Sequence, residues 1–184
     1  MSELRTNRIV PRDGLVSGTG IGGGIIQIKQ TIKKDQFTTA QVVSGGYTDL
    51  TGLNVTITPT RSDSKILVEC IIYNSNQNAV NFFRLLRGST FIEQPSGTSS
   101  SGAGYNAHGF AYYNCNNWQD TTVIKILDSP ATTSAVTYKT QGQAPSDGSF
   151  RLLYNYNWET ESTSLGNLTG YGTRSTMILM EVSA

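Results

Sequence analysis

The sequence has few of the residues from which catalytic and metal sites are usually built. Its 184 residues include one histidine, His108, and two cysteines, Cys70 and Cys115. The cysteines are too few and too widely spaced for a zinc site or a disulfide scaffold, and a site at His108 would have to recruit carboxylates alone. We therefore expect no metal and no cofactor, and buried free thiols rather than a disulfide.

Charge and long apolar runs are also scarce. Charged residues make up 15% of the chain and the formal net charge is +1. Such a balance gives no basic surface for a nucleic-acid partner. No apolar run has the length that a transmembrane helix requires. The sequence predicts neither nucleic-acid binding nor membrane insertion.

No long amphipathic helical pattern occurs, whereas Gly, Ser, Thr, Asn and Gln are abundant and there are nine tyrosines. Short β-forming runs separated by turn residues indicate an all-β protein. The predicted strands lie near 25–34, 47–58, 65–74, 79–87, 89–93, 108–115, 121–128, 134–142, 150–157 and 175–182. Without crossover helices the strands cannot form a parallel sheet, so we expect a jelly-roll-like antiparallel β-sandwich over residues 25–184.

The N-terminal segment has a different composition. Gly18, Gly20 and Gly23 show the G-x-G-x-x-G spacing of dinucleotide-binding loops, but they follow turn residues and precede the β-branched run that starts at Ile25. A nucleotide loop needs a preceding strand and a following helix. Residues 1–24 are therefore interpreted as an extended docking arm whose glycines form a hinge.

The sequence contains no recognisable catalytic arrangement. A Ser-His-Asp triad would have to use His108, and no G-x-S-x-G elbow accompanies it. Glu159 and Glu161 are close in sequence, but a glycosidase needs carboxylates on opposite sides of a cleft. We interpret His108 as a structural histidine at a strand end and expect the protein not to be an enzyme.

Two aromatic clusters are rich in asparagine, one around 105–118 and one around 154–158. Rings beside amides can stack on sugars and bind their hydroxyls, although alternating aromatics are also ordinary for a strand with one packed face. The candidate glycan contacts are Tyr105, Tyr113, Trp118 and Trp158.

The predicted strands at 65–74 and 175–182 carry apolar residues on both faces. A sheet that faces water should be polar on its outer side, so another subunit is expected to cover the outer face. The alternative is that these are central strands beneath the N-terminal arm. The predicted interface residues are Leu67, Ile71, Tyr73, Met177 and Leu179, and Ile72→Asp or Leu179→Asp is expected to dissociate the oligomer.

Several segments resemble tail-fibre-like virion proteins of marine and cyanobacterial phages. The stretches that carry this resemblance are SELRTNRIVP at 2–11, GGGIIQ at 22–27, YTDLTGLNVTITP at 47–59, SDSKILV at 62–68, RLLRGST at 84–90 and STMILMEV at 175–182. They cover about the first half of the chain and its last strand. Residues 94–170 take no part in the resemblance.

The resemblance implies a homotrimeric jelly-roll module, similar to the heads of complement C1q and tumour necrosis factor. It also implies localisation in the virion, with the N-terminal arm docked on other virion proteins. The arm residues expected to make that contact are Leu4, Arg5, Arg8, Ile9 and Val10. The expected function is a short fibre or knob that binds a host surface polysaccharide. A capsid decoration or tail-connector protein without a receptor is the alternative, and a depolymerase or a cellular adhesion module would be further classes.

Overall fold

A computed structural model describes residues 24–35, 37–38, 46–75, 80–93, 107–112, 119–143, 153–154 and 173–183. Within these ranges the chain forms eleven β-strands and no helix. The strands are β1 (Ile25–Lys33), β2 (Phe37–Thr38), β3 (Thr48–Ile57), β4 (Lys65–Ser75), β5 (Val80–Arg87), β6 (Thr90–Phe91), β7 (Gly109–Tyr112), β8 (Gln119–Asp128), β9 (Val136–Gln143), β10 (Leu153–Tyr154) and β11 (Ser175–Val182).

The first sheet, sheet A, has four long antiparallel strands in the order β1-β11-β4-β8. The short strand β10 pairs with the last two residues of β4, Asn74 and Ser75, and β2 pairs with β10. The first and last long strands of the domain are therefore neighbours in one sheet.

The second sheet, sheet B, is also antiparallel, with the order β3-β9-β5. On the far side of β5, the two-residue strand β6 pairs with Leu86 and Arg87, and β7 pairs with residues 80–83. A register shift between Asp49 and Asn54 interrupts β3, and Gly52 adopts a positive φ of 84° there. A side chain at this position would meet the Lys33 side chain, so glycine fits both the backbone and the space.

The two sheets pack face to face around one core. Alternate residues of each long strand point inward, as the twofold period of a β-strand requires. The core includes Leu53, Ile57, Ile66, Val68, Cys70, Ile72, Phe83, Leu85, Tyr138, Met177 and Leu179, all at most 1% exposed. This arrangement confirms the predicted all-β antiparallel sandwich.

Where the residues are described, the strand predictions agree with the structure to within a few residues; of the predicted strand at 150–157 only Leu153 and Tyr154 are described, and both lie in β10. The sequence did not indicate β2, described at Phe37 and Thr38. The predicted arm, residues 1–24, lies outside the described residues apart from Gly24.

The chain enters and leaves the sandwich at one end, which we call the near end. The Ser183 amide donates to the Gly24 carbonyl at 3.5 Å. The β3–β4 connection, the turn at Gly88 and the β8–β9 connection lie at the same end, because Gly88 donates to Thr137 and Ile57 pairs with Val136. We call the opposite end of the sandwich the far end.

Candidate functional site

The outer face of sheet A is the most unusual surface among the described residues. The strand register places its side chains in three rows that cross all four long strands. The first row is Ile32, Thr176, Ile71 and Val123; the second is Gln30, Ile178, Glu69 and Lys125; the third is Ile28, Met180, Leu67 and Leu127. Since neighbouring strands are about 4.8 Å apart, each row spans roughly 15 Å.

The apolar side chains of these rows are accessible to solvent. Within the described ranges, the exposed large hydrophobic residues are Ile25, Ile26, Ile28, Ile32, Val123 and Leu127, with exposures between 41% and 57%. All six lie on β1 and β8, the two outer long strands of sheet A. On the central strands, Leu67, Ile71, Ile178 and Met180 are half-buried. The two mainly apolar rows, separated by a mainly polar row, leave aliphatic surface exposed on the single chain, and exposed apolar patches of soluble proteins commonly mark interaction surfaces.

One ion pair lies in the middle of this face. The Lys125 ammonium is 3.0 Å from the Glu69 carboxylate, in the second row and between two mainly apolar rows. A cross-strand pair of opposite charge stabilises the local register. Because the two charges already neutralise each other, another apolar surface can cover the face without leaving a single charge unpaired.

The outer face of sheet B has the opposite character. Its described side chains include Asn54, Thr56, Thr137, Lys139 and Gln141, and Thr56 and Thr137 share a hydrogen bond of 2.7 Å. This is the polar outer surface that an antiparallel sheet facing water normally presents. Phe82 and Leu86 of β5 share this face, so polar side chains predominate on β3 and β9 rather than across the whole sheet. The outer face of sheet A is mainly apolar and that of sheet B mainly polar.

The structure corrects the predicted interface at β11. Leu67, Ile71 and Tyr73 lie on the outer face of sheet A as expected, and their contact with a partner stays a prediction. Met177 and Leu179 are 0% exposed and belong to the core, so they cannot meet another subunit. Ile178 and Met180 occupy the outer face instead.

Sequence reasoning also missed the contribution of the outer strands. Ile28 and Ile32 of β1 and Val123 and Leu127 of β8 complete the rows, but none was assigned to the interface. The signal was present in β1, where Ile28 and Ile32 have the even spacing that places both on one side of a strand. The register that brings β1 and β8 onto the same face cannot be read from such spacing.

The other predicted site residues cannot be placed. The arm residues Leu4, Arg5, Arg8, Ile9 and Val10 lie outside the described residues, and so do the candidate glycan contacts Tyr105, Tyr113, Trp118 and Trp158. Cys115 lies outside them as well.

His108 is held by backbone groups on two sides of its ring. Its Nδ1 accepts a hydrogen bond of 2.9 Å from the Leu85 amide, and its Nε2 is 2.7 Å from the Ile92 carbonyl oxygen. The ring also meets Phe91 edge-on, with 4.8 Å between the ring centroids. Burial lowers the pKa of His108. Both ring nitrogens are occupied in joining β5 to the β6 turn, so His108 has a structural role, as expected from the sequence.

A buried polar cluster connects the two sheets towards the near end. Arg87 of β5 donates to both carboxylate oxygens of Asp128, at 2.9 and 2.7 Å, and the Tyr138 hydroxyl donates to the same carboxylate at 2.6 Å. Burial and the adjacent Asp128 raise the pKa of Tyr138. The cluster ties β8 of sheet A to β5 and β9 of sheet B through hydrogen bonds to one carboxylate.

Glu181 is a second buried charge, at the end of β11. Its carboxylate accepts bonds from the Gln27 amide at 2.5 Å and from the Thr60 amide and hydroxyl, both at 2.7 Å. Burial raises the pKa of Glu181, but these hydrogen bonds outweigh that effect and lower it to about 2. Glu181 thereby ties β1 and the β3–β4 connection to β11.

The described residues contain no group of three or more His, Cys, Asp or Glu side chains that could hold a metal ion. Cys70 is a free thiol in the core, and burial raises its pKa. No helix in the described part of the chain is long and apolar enough to cross a membrane. No protein-family model matches the sequence, and no curated protein matches it significantly.

Proposed function

We propose that this chain is a structural protein of a phage virion, a short homotrimeric fibre or knob whose subunits meet through the outer face of sheet A. The observation that carries the assembly is the four-strand-wide apolar face, on which Ile28, Ile32, Val123 and Leu127 are exposed in the single chain. Covering these half-exposed side chains is worth about 1 kcal/mol for each of them.

A further copy of the chain is the partner that fits this face best. The same apolar rows are then present on every subunit, and the neutralised Glu69–Lys125 pair fits a mainly apolar contact. Repetition of one contact around a threefold axis closes the assembly and leaves no apolar face open, which limits it to a discrete oligomer.

The virion assignment is supported by the resemblance of the N-terminal and β3–β4 segments to tail-fibre-like proteins. The fold fits an appendage held at one end, because Gly24 and Ser183 lie together at the near end. Tyr112 and Gln119 flank segment 113–118 and lie on the far-end side of the sandwich, since Val80 pairs with Tyr112 and Ser75 with Gln119. The described residues that flank two of the candidate glycan contacts, Tyr113 and Trp118, are therefore at the opposite end of the sandwich from Gly24.

The solution mass of the full chain tests the oligomer. Multi-angle light scattering should give three times the 20.0 kDa chain mass. A single-chain mass at micromolar concentration would overturn the proposed assembly. The same measurement on a chain that begins at Gly24 shows whether the arm contributes to the contact.

The virion role needs a separate test on particles. Gold-labelled antibodies against the sandwich should bind the tail of intact phage particles that carry the protein. Labelling of the head would instead favour the capsid decoration alternative. The absence of label from particles whose lysate contains the protein would contradict a virion role.

A further inference from the structure

A hydrogen-bonded row of polar side chains crosses three strands on the outer face of sheet B. Arg84 of β5 donates from Nε to Gln141 at 2.8 Å, and Gln141 of β9 donates to Asp49 of β3 at 2.6 Å. Lys139 donates to the other oxygen of Asp49 at 2.8 Å. The strand register sets this row, because Arg84 lies opposite Gln141 and Gln141 lies opposite Asp49.

The guanidinium of Arg84 is held in a fixed plane. Its Cζ lies 3.9 Å from the centroid of the Tyr47 ring and 5.5 Å from that of Phe91, both within cation–π range. Its Nε is bound to Gln141, whereas its two terminal nitrogens have no hydrogen-bond partner among the described residues. Arg84 is half-buried, so these donors are oriented before any ligand arrives.

We propose that Arg84 and its row form a binding site for a carboxylate-bearing polysaccharide. The two terminal nitrogens of an arginine form a planar fork that matches a carboxylate, and stacking on an aromatic ring keeps that fork in position. The site lies on the sheet face opposite to the proposed subunit contact, so the proposed assembly would not cover it. Its role in host attachment rests on the proposed function, but the binding itself does not.

The charge of the row favours a monoanionic group. Arg84 and Lys139 each contribute one positive charge and Asp49 contributes one negative charge. Hydrogen bonds from Lys139 and Gln141 lower the pKa of Asp49, which keeps it ionised. One carboxylate per sugar neutralises this sum, whereas a doubly charged phosphate would leave the occupied site with a net charge of −1.

The surroundings of the row favour a sugar polymer. Asn54 pairs with Lys139 in the register, and Thr56 and Thr137, whose hydroxyls share a hydrogen bond, form the next pair on the same face. These amide and hydroxyl groups can exchange hydrogen bonds with sugar hydroxyls. An extended chain that lies across the strands can use several such contacts, and multiple copies of the site strengthen weak binding by avidity.

Isothermal titration calorimetry of the full chain with oligogalacturonides, which carry one carboxylate per sugar, tests the site. Arg84→Gln should weaken binding by about tenfold or more, because both the charge and the planar fork are lost. Arg84→Lys should weaken it by a smaller factor, because the charge remains. The matched control is Arg61→Gln, which removes one positive charge from an exposed arginine in the β3–β4 connection and should leave the affinity nearly unchanged.

A variant that is expected to bind more tightly separates an effect on the site from a loss of folding, because a misfolded protein would bind less tightly. Asp49→Asn removes the negative charge of the row and should tighten binding by roughly threefold. Weaker binding by this variant would contradict the proposed charge arrangement. Light scattering on the Arg84 variants should show an unchanged mass, so loss of binding and loss of assembly can be told apart.

Other outcomes overturn the proposal directly. If the unmodified chain does not bind oligogalacturonides, the proposed site is wrong. If Arg84→Gln and Arg61→Gln lower the affinity equally, the binding is only non-specific charge attraction. Equal binding of neutral dextran would show that the carboxylate is not recognised. Stronger binding of inorganic phosphate would assign the fork to a different anion.

Discussion

At the scale of single residues, His108 shows how one side chain can connect β5, the turn after β6 and the residue before β7. The Leu85 amide can only donate, so Nδ1 must accept and carries no proton. The proton therefore resides on Nε2, which donates to the Ile92 carbonyl. A second proton on Nδ1 would break the bond from Leu85, which explains why the neutral ring fits this site.

The pKa of His108 should lie below its ordinary value of 6.5 in the folded protein, because burial disfavours the charged ring. The unfolded chain then takes up a proton more readily, so stability should fall as the pH decreases below 6.5 and should not depend on this residue above it. Since His108 is the only histidine, NMR titration of its ring protons gives the pKa without assignment.

The control for this titration is His108→Gln, which cannot titrate in the same range. Its free energy of unfolding should stay constant over the pH interval just below 6.5 in which the unmodified protein loses stability. A titration midpoint at or above 6.5 would show that the ring is not held as described.

At the scale of elements, the contact between β7 and β8 depends on the absence of a side chain. A Cβ added at Gly109 would lie 2.6 Å from Cγ2 of Thr122, closer than real atoms approach. Thr122 is buried and its Oγ1 accepts a bond of 3.4 Å from Asn74. The methyl group of Thr122 therefore fills the space that glycine leaves at the edge of the sandwich.

Gly109→Ala should destabilise the protein by about 1–3 kcal/mol through overpacking. Adding Thr122→Ser removes Cγ2 but keeps the hydroxyl, and should recover part of the loss. Denaturant unfolding of the two single variants and the double variant measures the coupling between them. Gly24→Ala is the control, since no atom lies within 4 Å of its added Cβ. Strict additivity of Gly109→Ala and Thr122→Ser would contradict the predicted contact.

Most strands could be predicted from the sequence because each one has its own turn residues and alternation. The orientation of β11 could not be predicted in this way. Ile178 and Met180 on one face are as apolar as Met177 and Leu179 on the other, so the pattern does not show which face points into the core. Glu181, on the same face as Met177 and Leu179, is charged and nevertheless buried. Its hydrogen bonds with Gln27 and Thr60 come from distant parts of the chain, and they reverse the usual meaning of a charged residue in a strand.

Sequence analysis identified a candidate site residue correctly only where the pattern of a single strand was enough to place it. The two-faced apolar pattern of β4 indicated a covered outer face, and the structure places Leu67 and Ile71 there. The row of Asp49, Arg84 and Gln141 was not foreseen, because it combines three strands whose register is set by the fold. Single-strand patterns contain no information about which residues of different strands become neighbours.

At the scale of the whole molecule, the two outer faces of the sandwich differ in chemistry, and each suits a different proposed role: assembly for sheet A and ligand binding for sheet B. Sheet A presents rows of aliphatic side chains, and sheet B presents hydroxyl, amide and charged groups. Assembly through sheet A would hide the apolar surface and leave the polar face of every subunit exposed. Ile72→Asp and Leu179→Asp cannot test that assembly, because both residues are in the core and their replacement would unfold the chain.

Leu127→Asp is a better test, because Leu127 is already 50% exposed in the single chain and a carboxylate there does not disturb the core. Burying this unpaired charge in a subunit contact would cost several kcal/mol, so the variant should run as a single chain in light scattering. Thr56→Asp places the same charge on the outer face of sheet B and should keep the mass of the unmodified protein. Retention of the oligomer by Leu127→Asp would remove the outer face of sheet A from the assembly.

The adjacency of Gly24 and Ser183 also determines how the domain responds to mechanical load. These residues lead into β1 and out of β11, which are antiparallel neighbours. A force applied between them would peel the two strands apart one hydrogen bond at a time, which is the weakest geometry for a sheet. A force that enters at Gly24 and leaves at the far end would pull β1 along its length and load all its bonds to β11 together. A domain tethered by its N-terminal side and pulled from its far end would therefore bear tension in its stronger direction.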